Sequence, residues 1–113
     1  MKKLLFISIS GTENDILSSS YVLQSYLNQF KEIKTEYNVC VEDYFMSTDN
    51  NKILENIIAH NPYMVCFSCY IWNIDKIKNI TRKIEGNIKI VYGGPEIKNV
   101  KYDHVDYAIV GEG

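Results

Sequence analysis

Two hydrophobic periods alternate along the chain. "KLLFISIS" is a short apolar run, which predicts a buried strand at roughly 3–9. Leu23, Leu27 and Phe30 then recur at helical spacing, with Val22 and Tyr26 beside them, which predicts a helix at roughly 16–30. "IKTEYNVCVE" alternates. Ile33, Thr35, Tyr37, Val39 and Val41 share one face, and Lys34, Glu36, Asn38 and Glu42 share the other. That pattern predicts a half-exposed strand at a sheet edge. Asp49 is placed to cap a second helix carrying Ile53, Ile57 and Ile58, and Asn61-Pro62 stops it. "YMVCFSC" is a second apolar strand. Asn73 is the expected cap of a third helix with Ile74, Ile77 and Ile84 on one side, Arg82 and Lys83 near its end and Gly86 as its stop. "IKIVY" and "VDYAIV" predict two more strands.

Strands alternating with helices, the inner ones apolar throughout, imply a parallel sheet covered on both faces. With an amphipathic second strand at an edge, the expectation is an α/β, Rossmann-like (flavodoxin-like) three-layer sandwich. Its sheet has about five strands in the order 2-1-3-4-5. The connection "PEIKNVKYDH" is short for a crossover of about 10–12 residues, so it holds little more than a helical turn. Such sheets bind ligands beyond the carboxyl ends of their strands, near the switch between strands 1 and 3. The loops that reach that edge are "SGTEND", "CYIWN", "GGPE" and "GEG".

Composition narrows the partners. A length of 113 residues suits one domain with one core. A net charge of -2, with lysines dispersed, gives no electrostatic case for nucleic acid or an anionic membrane. No run approaches the ~18 apolar residues of a membrane span. "MKKLLFISIS" turns polar too soon for a signal peptide. Three cysteines without a disulfide pattern suit a reducing cytoplasm.

The candidate chemistry lies in the loops. Gly93-Gly94 ends an apolar strand. One glycine would satisfy a turn of positive φ, whereas two in a row also let a ligand lie against the backbone. Tyr70, Ile71 and Trp72 form a bulky apolar cluster that either packs on the core or faces a cleft or neighbouring domain. Cys66 and Cys69 spell C-x-x-C, but on a strand positions i and i+3 face opposite ways, so no shared metal or disulfide is expected. His60 and His104 have no Cys, Asp or Glu cluster beside them in sequence. "SGTEN" offers hydroxyls and a glycine after strand 1, or simply a capped turn.

"VCFSCYIWNI", "IVYGGPEI" and "VDYAIVGEG" together resemble the N-terminal cobalamin (B12)-binding domain of B12-dependent radical SAM proteins, over nearly the whole chain. In cobalamin-binding domains a Ser-x-Leu element follows strand 3 and a Gly-Gly follows strand 4, and both line the slot for the nucleotide tail. Here Ser68, with Tyr70 in the leucine's place, matches the first, and Gly93-Gly94 the second. The resemblance implies tail contacts from Ser10, Gly11, Thr12, Ser68, Tyr70, Gly93 and Gly94. It places Trp72, Asn73 and Glu96 toward the corrin or toward a catalytic barrel. It also implies a parent enzyme with a [4Fe-4S] cluster and S-adenosylmethionine in a C-terminal radical SAM domain, this chain being a fragment that binds without catalysing.

Two features depart from the pattern. The Asp-x-His-x-x-Gly motif expected after strand 1 is absent, since "SGTENDIL" holds no histidine, and the cluster motif C-x-x-x-C-x-x-C is absent too. Three other readings compete with this one. A flavodoxin-like FMN module would use "SISGTEN" and the aromatics after strand 3, but Glu13 would repel its phosphate. A response-regulator receiver needs an Asp where Cys69 stands. A degenerate domain would keep the fold and only dock the barrel.

Overall fold

The computed structural model describes residues 2–11, 37–94, 102 and 104–108. Its elements are β1 (Lys2–Ser10), β2 (Tyr37–Phe45), α1 (Asn50–His60), β3 (Met64–Ser68), α2 (Ile74–Thr81), β4 (Lys89–Gly93) and β5 (Tyr107–Ala108). The strands form one sheet in the order β2-β1-β3-β4-β5, every pair parallel. This is the expected Rossmann-like α/β topology. The helix expected at roughly 16–30 lies outside the described residues, as do Thr12, Glu96 and the closing "GEG".

Both described helices cover the same face. The steps from β2 to β3 and from β3 to β4 run the same way across the sheet, and right-handed crossovers then put both helices on one side. Leu5, Ile7, Ile9, Val65, Phe67, Ile90 and Tyr92 supply the sheet side of this core, with Ile53 and Ile57 from α1 and Ile77 and Ile80 from α2. Each buried isoleucine contributes about 1.5–3 kcal/mol relative to exposure. Ile58, expected on the same helical stripe as Ile53, is instead 57% exposed. At 100° per residue it falls beside the stripe, and Ile57 takes the central place.

Local signals set the helix ends. The Asp49 carboxylate accepts from the Asn51 amide at 3.0 Å, which satisfies one of the orphan donors of α1. Asn61 closes α1 in the left-handed conformation, φ 46° and ψ 55°, ahead of Pro62. The Lys76 ammonium donates to Thr48 O and Asn50 Oδ1, pinning α2 to the start of α1.

β2 is the expected edge strand and keeps the expected alternation, and its register decides which of its faces the helices cover. Ile7 pairs with Glu42 and Ile9 with Tyr44, so the even positions of β2 share the helix-covered face. Tyr44 is buried and Cys40 packs on the core from there. Glu42, at the rim, meets His60 at 2.7 Å, a pairing 18 residues apart that local sequence does not reveal.

Candidate functional site

The carboxyl ends of the strands bring together the residues singled out after β1, β3 and β4. Ser68 pairs with Gly93, and Phe67 pairs with both Ile7 and Tyr92. One residue further along, Ser8 therefore lies level with Ser68 and Gly93. Ile7, Phe67 and Tyr92 face the helices, so Ser8, Ser68 and Gly93 face the other way. Ser10 shares that face, two residues beyond Ser8. The result is a row of small side chains crossing β1, β3 and β4 on the face opposite α1 and α2. Ser8 and Ser10 are buried and Gly11 is exposed. Ser8 was not expected here. Its signal is the period-two placement of serines in "FISIS", polar positions inside a strand that otherwise reads as apolar.

The two glycines have different reasons to be glycine. Gly94 has φ +113°, and a Cβ there would lie 2.6 Å from Cys69 O and 3.0 Å from Cys69 N. The backbone of the β3 end occupies its side-chain space, and the Cys69 amide donates to Gly93 O at 2.7 Å, locking the approach. Gly93 has ordinary strand backbone, and a Cβ on it would meet no described atom within 4 Å. Open space, expected beside both glycines, is therefore found among the described residues at Gly93 alone, while at Gly94 the Cys69 backbone fills it.

Asn73 also departs from expectation. Its side chain does not cap α2. It is fully buried, and its amide ties three segments together. Oδ1 accepts from the Tyr70 amide at 2.7 Å, and Nδ2 donates to Ile9 O at 3.2 Å and to Ser68 O at 3.1 Å. The side chain expected toward a corrin or a barrel thus spends its hydrogen bonds on the ends of β1 and β3. Trp72, in contrast, is 39% exposed and Ile71 78% exposed. The Trp72 ring stacks on Tyr70 with centroids 5.2 Å apart and planes 7° from parallel.

Cys66 and Cys69 take opposite faces of β3, Cys69 in the helix-covered core. Both are free thiols, and burial pushes each up to about 12. We expect both to resist iodoacetamide at pH 8 in the native protein and to react once it is unfolded in urea, because the thiolate is the nucleophile. Peptide mapping of the alkylated protein checks this, and rapid native labelling at either position would contradict it. Among the described residues no group of His, Cys, Asp or Glu is arranged to hold a metal ion.

The histidines lie at the other end of the sheet. His60 ends α1 and accepts at Nδ1 from the Lys3 ammonium (3.3 Å) while its Nε2–H donates to Glu42. It lines a cleft of ≈ 440 Å³ with Lys2, Lys3, Asn61, Tyr63 and Asn87. His104, at φ 62°, precedes β5, where the Asp106 amide bonds Ile90 O and the Asp106 carboxylate accepts from the Ile90 amide. Neither imidazole is placed at the carboxyl edge. No described helix is long and apolar enough to cross a membrane.

Among the described residues the row consists of hydroxymethyl side chains and bare backbone, a lining that suits a slender, extended group. The same edge offers no imidazole to a metal. No curated protein matches the chain. Among solved structures, the 1.5 Å crystal structure of a novel cobalamin-binding protein from Desulfitobacterium hafniense DCB-2 superposes with a TM-score of 0.63 at 13% identity. The superposition covers 96% of this chain and 52% of that one, so the chain spans about half the length of that protein. At this identity the likeness concerns the fold. The family model described as the B12 binding domain matches residues 19–113, a span that takes in β2 to β5 with both "VCFSCYIWNI" and "IVYGGPEI". The chain belongs to the B12-binding domain family.

Proposed function

We propose that the protein binds a corrinoid at the carboxyl edge of its sheet, with the nucleotide tail entering along Ser8, Ser10, Ser68 and Gly93. The observation that carries this reading is Gly93. Neither its φ nor its described neighbours require glycine, yet it stands in register with Ser68, where a side chain would project into the row. Gly11 adjoins the row at the end of β1, Thr12 follows it in sequence, and Glu96 lies beyond β4 in sequence. A bound corrinoid supplies a cobalt centre for methyl-transfer or radical chemistry. The chain's own part is to hold the tail, and Asn73 fixes the loop that closes the edge.

The reading extends to the parent protein. The resemblance of "VCFSCYIWNI", "IVYGGPEI" and "VDYAIVGEG" to B12-dependent radical SAM proteins supports a cytoplasmic radical SAM enzyme. Its [4Fe-4S] cluster and S-adenosylmethionine would belong to a C-terminal domain, the intramolecular partner of this one. The substrate class follows from that domain and not from this one.

The test is a titration of the protein with Co(II) cobalamin, followed by absorbance and by EPR. We expect saturable binding and a bound spectrum without superhyperfine splitting from an axial nitrogen. Such binding places the tail in the slot, with its base off the cobalt, and both histidines lie at the opposite edge of the sheet. Nitrogen splitting would refute the proposed arrangement. Absence of binding, together with saturable quenching of FMN fluorescence, would favour a flavin module instead.

A further inference from the structure

The amino end of the sheet carries a concavity of its own. The segments entering β3 and β4 wall it, with Asn61 and Tyr63 on one side and Asn87 on the other, and Lys2 and Lys3 join from the start of β1. Backbone bonds fix this frame. The Tyr63 amide donates to Lys3 O at 2.9 Å, and the Lys89 amide donates to Tyr63 O at 3.0 Å. The volume of ≈ 440 Å³ falls in the range of small-ligand sites.

The charge of this cleft is one-sided. The chain as a whole is acidic, at -2, yet no carboxylate is among the described residues that line the cleft. Both ammoniums are held by uncharged groups instead. Lys2 Nζ lies 4.4 Å from the centre of the Tyr63 ring. Lys3 Nζ donates to His60 Nδ1 at 3.3 Å, and an imidazole accepting at Nδ1 carries no charge. The Glu42 carboxylate is engaged by His60 Nε2 at 2.7 Å, and among the described residues neither lysine forms an ion pair. A ring face or a neutral imidazole orients an ammonium without cancelling its charge. Each ammonium has three donors, so N–H groups remain for a further acceptor, and a concave wall concentrates the field of the two cations.

We propose that this cleft binds a phosphate group, free or on a small phosphomonoester, with Lys2 and Lys3 supplying the charge and the Asn61 and Asn87 amides further donors. A phosphomonoester carries about −1.5 to −2 charge near neutral pH, which two ammoniums match. A lone carboxylate carries half as much and is best met by the planar fork of an arginine, and no arginine lines the cleft. The proposal is independent of the corrinoid reading, because all nine residues of β1 separate this end of the sheet from the carboxyl edge.

The test titrates ¹⁵N-labelled protein with inorganic phosphate and, separately, with glycerol phosphate, at constant ionic strength, and follows the amide resonances. We expect saturable shifts at Lys3, Asn61 and Tyr63, with Ser68 and Gly93 unmoved. Lys2→Gln and Lys3→Gln should each weaken binding about tenfold, and the double variant should abolish it. Lys52→Gln, on the exposed side of α1, should bind as wild type does. A urea unfolding curve for each variant checks folding. Tighter binding of glycerol phosphate than of phosphate supports an organic phosphomonoester, and equal binding supports free phosphate. Failure of both probes to saturate overturns the proposal. So do shifts confined to Ser68 and Gly93, or a folded double variant that binds as wild type does. A Lys52→Gln variant weakened as much as Lys3→Gln also overturns it, because the attraction would then be diffuse and not the cleft's.

Discussion

Gly93→Val should lower cobalamin affinity a hundredfold or more while leaving the urea midpoint within about 1 kcal/mol of wild type. Gly94→Val should do the reverse damage, removing about 3 kcal/mol or more of stability, if the variant folds at all. The two positions are adjacent, and composition alone gives no reason to treat them differently. The backbone does. At Gly93 a valine takes a strand conformation that β-branched residues favour, and its methyls enter the row shared with Ser68. A ligand tail occupying that row would be displaced, and nothing described in the protein would be compressed. At Gly94 a Cβ meets Cys69 O at 2.6 Å with φ at +113°. The obstructing atom is backbone, held by the bond from the Cys69 amide to Gly93 O, so it cannot rotate aside as a side chain would. Urea unfolding and an absorbance titration with cobalamin decide both halves. Wild-type affinity in Gly93→Val would remove the slot, and wild-type stability in Gly94→Val would remove the close contact with Cys69.

The difference between these glycines is not encoded in any run or alternation within one segment. Strand existence, strand order and the edge position of β2 are legible because they rest on runs and alternations within single segments. Helix caps at Asp49 and Asn61 are legible for the same reason. What is not legible depends on register. The inward face of β2 is fixed by Ile7 standing opposite Glu42, and a slip of one residue would have exchanged Cys40 and Tyr44 with Val39 and Val41. Glu42 and His60 meet only because β2 and the end of α1 converge at one rim. Ser8 joins the site through pairings that carry β1 past β3 to β4, although "FISIS" contains the hint. Asn73 has the residue type of a helix cap at the position of one, and the structure uses its amide across the sheet instead, 64 residues from Ile9.

Asn73→Ala should cost about 3 kcal/mol, a large share of the ~5–15 kcal/mol that holds a domain of this kind together. The substitution creates little void. Its cost comes from three polar groups left behind, Ile9 O in a buried setting and the Tyr70 amide and Ser68 O in partly buried ones. Each orphaned group costs about 1–3 kcal/mol, reduced where the loop relaxes or a water enters. The loss should be local as well as global, so the Tyr70 amide should exchange its hydrogen much faster in the variant than in wild type. Asn73→Asp separates the clasp from mere volume. It keeps the acceptor for Tyr70 but replaces the donor with an oxygen facing two carbonyls, and the buried carboxylate has no cation to pair with among the bonds Asn73 makes. Its pKa in the folded protein should therefore lie above the usual carboxylate value. A group whose folded pKa is raised binds more protons in the native state, so its stability is greatest at low pH and is lost as pH rises through that folded pKa. Relative to wild type, Asn73→Asp should be less stable at pH 7 than at pH 5, where the protonated acid again donates to a carbonyl. Urea midpoints at the two pH values measure this. A difference from wild type that does not change between pH 5 and pH 7, or an Asn73→Ala variant within 1 kcal/mol of wild type, would mean that the clasp does not hold the edge on which the site is built.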